Sequence, residues 1–117
     1  MKCVGTTTTQ AEIERWKDDV LSSPQLDELA VFLNLVGNST RLKIVFLLTE
    51  FGELCVCDLA QILDISVPAV SQQLAKLKAF GLLKSRRDNQ TIFCSIADTR
   101  NLKLLKGRFD QILEQAQ

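Results

Sequence analysis

The chain of 117 residues contains no histidine. That absence removes Ser-His-Asp and Cys-His catalytic arrangements, the zinc-hydrolase motifs and every metal site built on imidazole. Any ion held by side chains must take thiolates, carboxylates or carbonyls, and thiolates select soft metals. Long hydrophobic runs are missing too. Ile44–Leu48 is as long as any apolar run in the chain, far short of the roughly 20 residues of a membrane-spanning helix. The opening MKCVGTTTTQ has a lysine but no apolar stretch behind it, so neither a secretory signal nor a membrane partner is expected. The expected compartment is the cytoplasm, where thiols stay reduced and cysteines serve more often as ligands or sensors than as staples.

What is present is ordinary for a globular domain: 46% hydrophobic and 24% charged residues, in a length that suits one domain with a real core. Net charge is zero, but the charges are segregated. No acidic residue lies between Asp64 and Asp88, an interval holding Lys76, Lys78, Lys84, Arg86 and Arg87. Glu12, Glu14, Asp18, Asp19, Asp27 and Glu28 compensate near the N-terminus. Such an interval is either a solvated basic face or a surface for phosphates; screening over roughly 8–10 Å lets a local patch act on a neutral domain.

Residues 1–9 show no periodicity and read as a flexible arm, followed by a single domain over 10–117. Ile13, Trp16 and Val20 recur at helical spacing as far as SSP (Ser22–Pro24). A second helix from Pro24 is apolar nearly all round, through Leu26, Leu29, Val31, Phe32, Leu33, Leu35 and Val36, and is expected to be buried. GNST supplies a terminating glycine and an N-cap for RLKIVFLLTEF, which Gly52 closes. A short helix over about 55–63, the link DIS and a longer helix over about 66–80 then form a helix-turn-helix (about 55–80). Ser66 is its N-cap, Pro68 falls in the first turn, Val70, Leu74, Leu77 and Phe80 make the buried stripe, and Gly81 ends it. LLKSRR-DNQ-TIFCSI reads as a hairpin, the wing, over about 82–96. In the last helix, about 98–116, Leu102, Leu105, Phe109 and Ile112 make a stripe suited to a partner helix.

The fold class is therefore mainly α with a small β-hairpin wing, a winged helix-turn-helix that dimerises through its N- and C-terminal helices. A helix entering a major groove about 12 Å wide must be polar on its outer face. Val67, Pro68, Ser71, Gln72, Lys76 and Ala79 are the outer positions: Ser71 and Gln72 can bond base edges, and Lys76 suits phosphate. On the wing, Arg86, Arg87, Asn89 and Gln90 reach flanking backbone or minor groove.

DLAQILDISVPAVSQQLAKLKAFGLLKSRRDNQTIFCSI resembles the winged-helix core of the ArsR/SmtB metal-responsive repressors, and NSTRLKIVFLL resembles the helix before it. The resemblance spans about residues 26–97. ELCVCDL is similar to the metal-binding stretch of the arsenic- and cadmium/lead-responsive branch. It implies a homodimer on double-stranded, two-fold operator DNA that represses and lets go when a thiophilic ion binds: arsenic(III), mercury(II), cadmium(II) or lead(II). There are departures. Asp64 replaces the usual turn glycine, Gln73 stands where SxHL has histidine, and Ala60 stands where arsenic-responsive members often carry a third cysteine. The family's alternative ion site on the C-terminal helices needs histidines and is excluded.

Cys55 and Cys57, one residue apart, admit three readings: small core residues, a redox pair, or ligating thiolates. A thiolate at a helix N-terminus is stabilised by free backbone N–H groups and ligates better for it. In a regular helix the two point to opposite sides, so convergence on one ion requires the first turn to loosen. That distortion would favour a dimer conformation fitting DNA poorly. Two thiolates suffice for mercury(II); the other ions need a third donor, for which Cys3 on the arm is the candidate, as in the cadmium/lead-responsive relatives. Cys94 alternates with Ile92 and Ile96 and is expected in the core. The reading is a soft-metal-released repressor, with a thiol redox sensor of the same fold as the alternative. No enzyme is expected, since no Cys-x-x-Cys beside a βαβ pattern is present.

Overall fold

The computed structural model describes residues 8–116. The chain divides into two compact units between Val31 and Phe32. The expected helix-turn-helix and wing lie wholly in the second. Of the expected arm only Thr8 and Thr9 are described, and Cys3 lies outside the described residues.

In the first unit, α1 (Gln10–Leu21) starts where the Thr9 hydroxyl accepts the Glu12 amide at 3.2 Å. The Ser23 hydroxyl does the same for Leu26 at the start of α2 (Pro24–Val36). These side chains satisfy amides that a helix start leaves without intrahelical partners. Helix α1 buries no residue: Ile13, Trp16, Val20 and Leu21, its apolar stripe, are all exposed. The burial expected for α2 is corrected: only Phe32 and Val36 are buried, while Leu26, Val31 and Leu33 are about half exposed. An all-round apolar helix needs neighbours on every side, and a single chain covers only one side of this one.

The second unit continues with α3 (Ser39–Phe51), β1 (Glu53–Cys55), α4 (Val56–Leu63), α5 (Val67–Phe80), β2 (Leu83–Asp88), β3 (Thr91–Ile96) and α6 (Leu102–Gln115). Asn38 caps α3 through the Arg41 amide, 3.0 Å away. A Cβ on Gly37, just before it, would lie 2.8 Å from the Leu33 carbonyl oxygen, so the break between α2 and α3 requires glycine. The hairpin of β2 and β3 is present, with Asn89 at φ 57° in its turn, a conformation asparagine tolerates.

Strand β1 was not foreseen. It pairs antiparallel with β3, Glu53 opposite Ser95 and Cys55 opposite Phe93, making a three-stranded sheet in the order β1-β3-β2. Three residues are too few for any alternation to register as a strand. As a consequence α4 begins at Val56, after Cys55 rather than at it. The last helix likewise starts at Leu102, because the Asp98 carboxylate accepts the Arg100 backbone amide at 2.9 Å and holds residues 98–100 in a turn.

The core gathers Phe32, Ile44, Val45, Leu48, Leu59, Val70, Leu74, Leu77, Leu82 and Cys94. The stripe on α6 divides: Leu102 and Phe109 are buried, Phe109 meeting Phe46 edge-on at 5.1 Å, while Ile112 is exposed. Among the described residues no single helix is long and apolar enough to cross a membrane. Leu59, fully buried on α4, tests this packing: Leu59→Ala should lower the unfolding free energy by about 2–5 kcal/mol in a urea titration.

Candidate functional site

Helices α4 and α5 are joined by Asp64, Ile65 and Ser66. Asp64 is left-handed (φ 55°, ψ 45°), and the Ile65 amide returns to the Ala60 carbonyl at 3.1 Å, so the orphan carbonyls of α4 are satisfied without a glycine. The Ser66 hydroxyl accepts the Ala69 amide at 3.2 Å and starts α5, with Pro68 in its first turn. Gly81, at φ 95°, ends it, and the chain passes into β2.

Helix α5 is two-faced. Val70, Leu74 and Leu77 are buried; Val67, Pro68, Ser71, Gln72 and Lys76 are exposed. The side chains of Ser71, Gln72 and Lys76 make no hydrogen bond among the described residues, so their donors and acceptors are available to a ligand. Gln73 is different, and nothing in the spacing signalled why. It is half-buried, and its Oε1 accepts Nη1 of Arg41 at 2.9 Å, while Nε of Arg41 donates to the Leu35 carbonyl near the end of α2. One guanidinium thus ties α2, α3 and α5 together, with a geometry a lysine does not reproduce. Gln73 therefore ties α5 to Arg41.

On the wing, Arg86, Arg87, Asn89 and Gln90 are all exposed. Arg86 is engaged: it forms a two-pronged pair with Glu53 of β1, at 2.9 and 2.7 Å. Arg87 makes no hydrogen bond or ion pair among the described residues. A second tie holds the wing to α5, where Lys78 Nζ donates to the Ser85 hydroxyl at 3.2 Å.

Cys55 is half-buried and occupies the N-cap of α4, extended at φ −78° and ψ 156°, with its Sγ accepting the Asp58 amide at 3.4 Å. Cys57 is exposed in the first turn. The helix begins between the two cysteines, so the opposite-face geometry of two helical residues does not apply. What Cys55 must give up to turn toward a ligand shared with Cys57 is a cap. Among the described residues no group of three or more His, Cys, Asp or Glu side chains converges; the thiols at the start of α4 are Cys55 and Cys57. Cys94 is fully buried opposite Leu54, and burial pushes its thiol up from the ordinary range. It belongs to the core, as expected.

Residues 38–85 match the family model described as bacterial regulatory protein, arsR family. Over 107 residues the chain is 33% identical to the cadmium resistance transcriptional regulatory protein CadC homolog of Staphylococcus aureus, covering 92% of this chain and 88% of that protein. Over 58 residues it is 48% identical to the arsenical resistance operon repressor of Escherichia coli, covering 50% of each. The crystal structure of the AntR antimony-specific transcriptional repressor is similar at a TM-score of 0.72 and 29% identity, with 98% of each chain covered.

The Arg41 tie can be checked directly. Arg41→Ala should destabilise the protein by about 1.5–3 kcal/mol, the range for hydrogen bonds to a charged group, read from the denaturation midpoint.

Proposed function

The chain belongs to the arsR family of bacterial DNA-binding transcriptional regulators, and on that premise we propose that it is a homodimeric repressor released from its operator by a soft ion at Cys55 and Cys57. It is not an enzyme. The observation that carries the reading is the placement of Cys55: its sulfur caps α4, the helix that packs against α5.

In the proposed complex the exposed face of α5 enters the major groove. Val67 and Pro68 lie at its leading end, Ser71 and Gln72 address base edges, and Lys76 meets phosphate. The wing follows the flanking backbone with Arg87 and, at its tip, Asn89 and Gln90; Arg86 lies beside them, paired with Glu53. Two-fold operators call for two copies at a fixed spacing. The exposed apolar side chains Ile13, Trp16, Val20 and Leu21 of α1, and Leu104 and Ile112 of α6, support a second copy as what covers them.

A soft ion supplies strong bonds to sulfur. For both thiolates to face it, Cys55 leaves the Asp58 amide and α4 loses its cap, a loss of about 1 kcal/mol in typical caps. Helix α5, resting on α4, then loses the support that holds it in register with DNA. The differential affinity of the two conformations for the operator is the regulation. Mercury(II) needs only these two thiols; arsenic(III), cadmium(II) and lead(II) draw on Cys3 as third donor. The alternative is a thiol redox sensor of the same fold, for which the exposed Cys57 would be the site of oxidation.

Reduced, oxygen-free protein titrated with mercury(II), arsenite, cadmium and lead should give a sulfur-to-metal charge-transfer band with a sharp endpoint at one ion per protomer for at least one of them. Cys55→Ser and Cys57→Ser should lose the band and ion-induced release while keeping DNA affinity. No stoichiometric uptake by any ion, with DNA release on peroxide treatment, would establish the redox alternative. On a duplex selected from a random pool by the wild-type protein, Arg87→Ala should weaken binding and lower the salt slope by about 1.

A further inference from the structure

Cross-strand neighbours in a sheet share a face. By the observed register, Glu53 and Cys55 of β1, Phe93 and Ser95 of β3, and Lys84 and Arg86 of β2 lie on the face opposite Leu83 and the buried Cys94. Over that face the Arg86 guanidinium lies 4.5 Å from the centre of the Phe93 ring. From there it donates Nε and Nη2 to the two oxygens of Glu53 at 2.9 and 2.7 Å. The pair therefore bridges the two edge strands across β3. It holds the Glu53 carboxyl below its ordinary range and raises Arg86 above its own, by the same hydrogen bond. Among the described residues its two bonds are the side-chain hydrogen bonds between β1 and the wing. The wing's other tie, Lys78 to Ser85, comes from the side of α5.

We propose that Glu53 is a positioning residue for DNA binding: by clamping Arg86 over Phe93 it fixes the wing at the angle at which Arg87 meets the phosphate backbone. The proposal rests on the wing docking on DNA. Two effects of Glu53 oppose each other. Its negative charge is repelled by phosphates, which favours removing it. Its clamp adds a side-chain link between β1 and the hairpin to the backbone ladder that β3 makes with each. The clamp wins, because the carboxylate's charge is already neutralised by a two-pronged guanidinium and what remains is screened over roughly 8–10 Å. An acidic residue near the DNA face thus strengthens binding, against the sign that simple electrostatics gives.

Glu53→Gln, Arg86→Lys and the double variant decide this, with binding to the selected duplex followed by fluorescence anisotropy and folding checked by circular dichroism. Glutamine removes the charge and keeps the shape; lysine keeps the charge and loses the fork. Each single variant should bind about threefold to tenfold more weakly than wild type, and the double variant no more weakly than the worse single one. Tighter binding by Glu53→Gln would overturn the proposal, since Arg86 would then be a phosphate ligand that Glu53 withholds. Wild-type affinity in both singles would overturn it as well. Should Glu53→Gln not fold, Glu53→Ala takes its place: weaker binding supports the clamp, and wild-type or tighter binding sinks it. Arg87→Ala run alongside separates the premise from the proposal. An unchanged affinity and salt slope in that variant removes the wing from the DNA and the proposal with it, whereas a weakened Arg87→Ala with an unweakened Glu53→Gln sinks the clamp alone.

Discussion

The pairing of β1 with β3 is the constraint on which the functional half of this protein depends. It is only three residues long, but it ends at Cys55, and the residue that ends the strand also starts α4. If β1 shifted by one position, its side chains would exchange faces. Leu54 would leave the side of Cys94 and the core, and Glu53 and Cys55 would turn inward. The burial of Cys94 and Leu83 on one face therefore fixes, on the other, where a thiol and a carboxylate are presented.

From that strand two lines of contact run outward. One follows the chain through the Cys55 cap into α4, then across the αL turn at Asp64 to α5. The other crosses the sheet surface from Glu53 over Phe93 to Arg86. A third, independent support reaches α5 from behind, where Arg41 holds Gln73 and the Leu35 carbonyl. None of these ties is strong alone: the exposed pair and the cap contribute about 1 kcal/mol or less each, and the charged Arg41 bonds about 1.5–3 kcal/mol. That weakness suits a regulator. A docking surface held by several modest contacts can be displaced by a ligand, while the buried Leu59, Val70, Leu74 and Leu77 keep the two helices folded throughout.

Elements whose making is local were legible before any coordinates. Ser66, Pro68 and Gly81 each act within a few residues of themselves, and α5 starts and stops where they say. Asp64, which stands where the family usually has glycine, adopts the left-handed conformation that aspartate tolerates. The alternation around Cys94 identified a core residue correctly. Non-local contacts were not legible. Gln73 stands in the sequence only as a departure from the family's histidine, and its partner, Arg41, lies 32 residues earlier. Arg86 and Arg87 are adjacent and chemically alike, yet one is committed to Glu53, 33 residues away, and the other is not. Alternation along a strand sends neighbours to opposite faces, but which face meets a partner depends on what packs there.

The same division holds for α2. The apolar surround of α2 predicts burial, and half of it lies open, because composition states how much surface avoids water and not whether one chain suffices to cover it. By itself the sequence determined the helix-turn-helix, the wing, the absence of imidazole chemistry and the pair of thiols at the start of a helix. Those follow from short-range sterics, hydrogen-bond capping and residue chemistry, which need no knowledge of the rest of the chain. Only the tertiary structure decided that Cys55 is a cap, that Gln73 is a support and that Arg86 is clamped. Each of those depends on a partner brought in by folding, and the buried core face of the sheet selects which side chains are left to meet on the other.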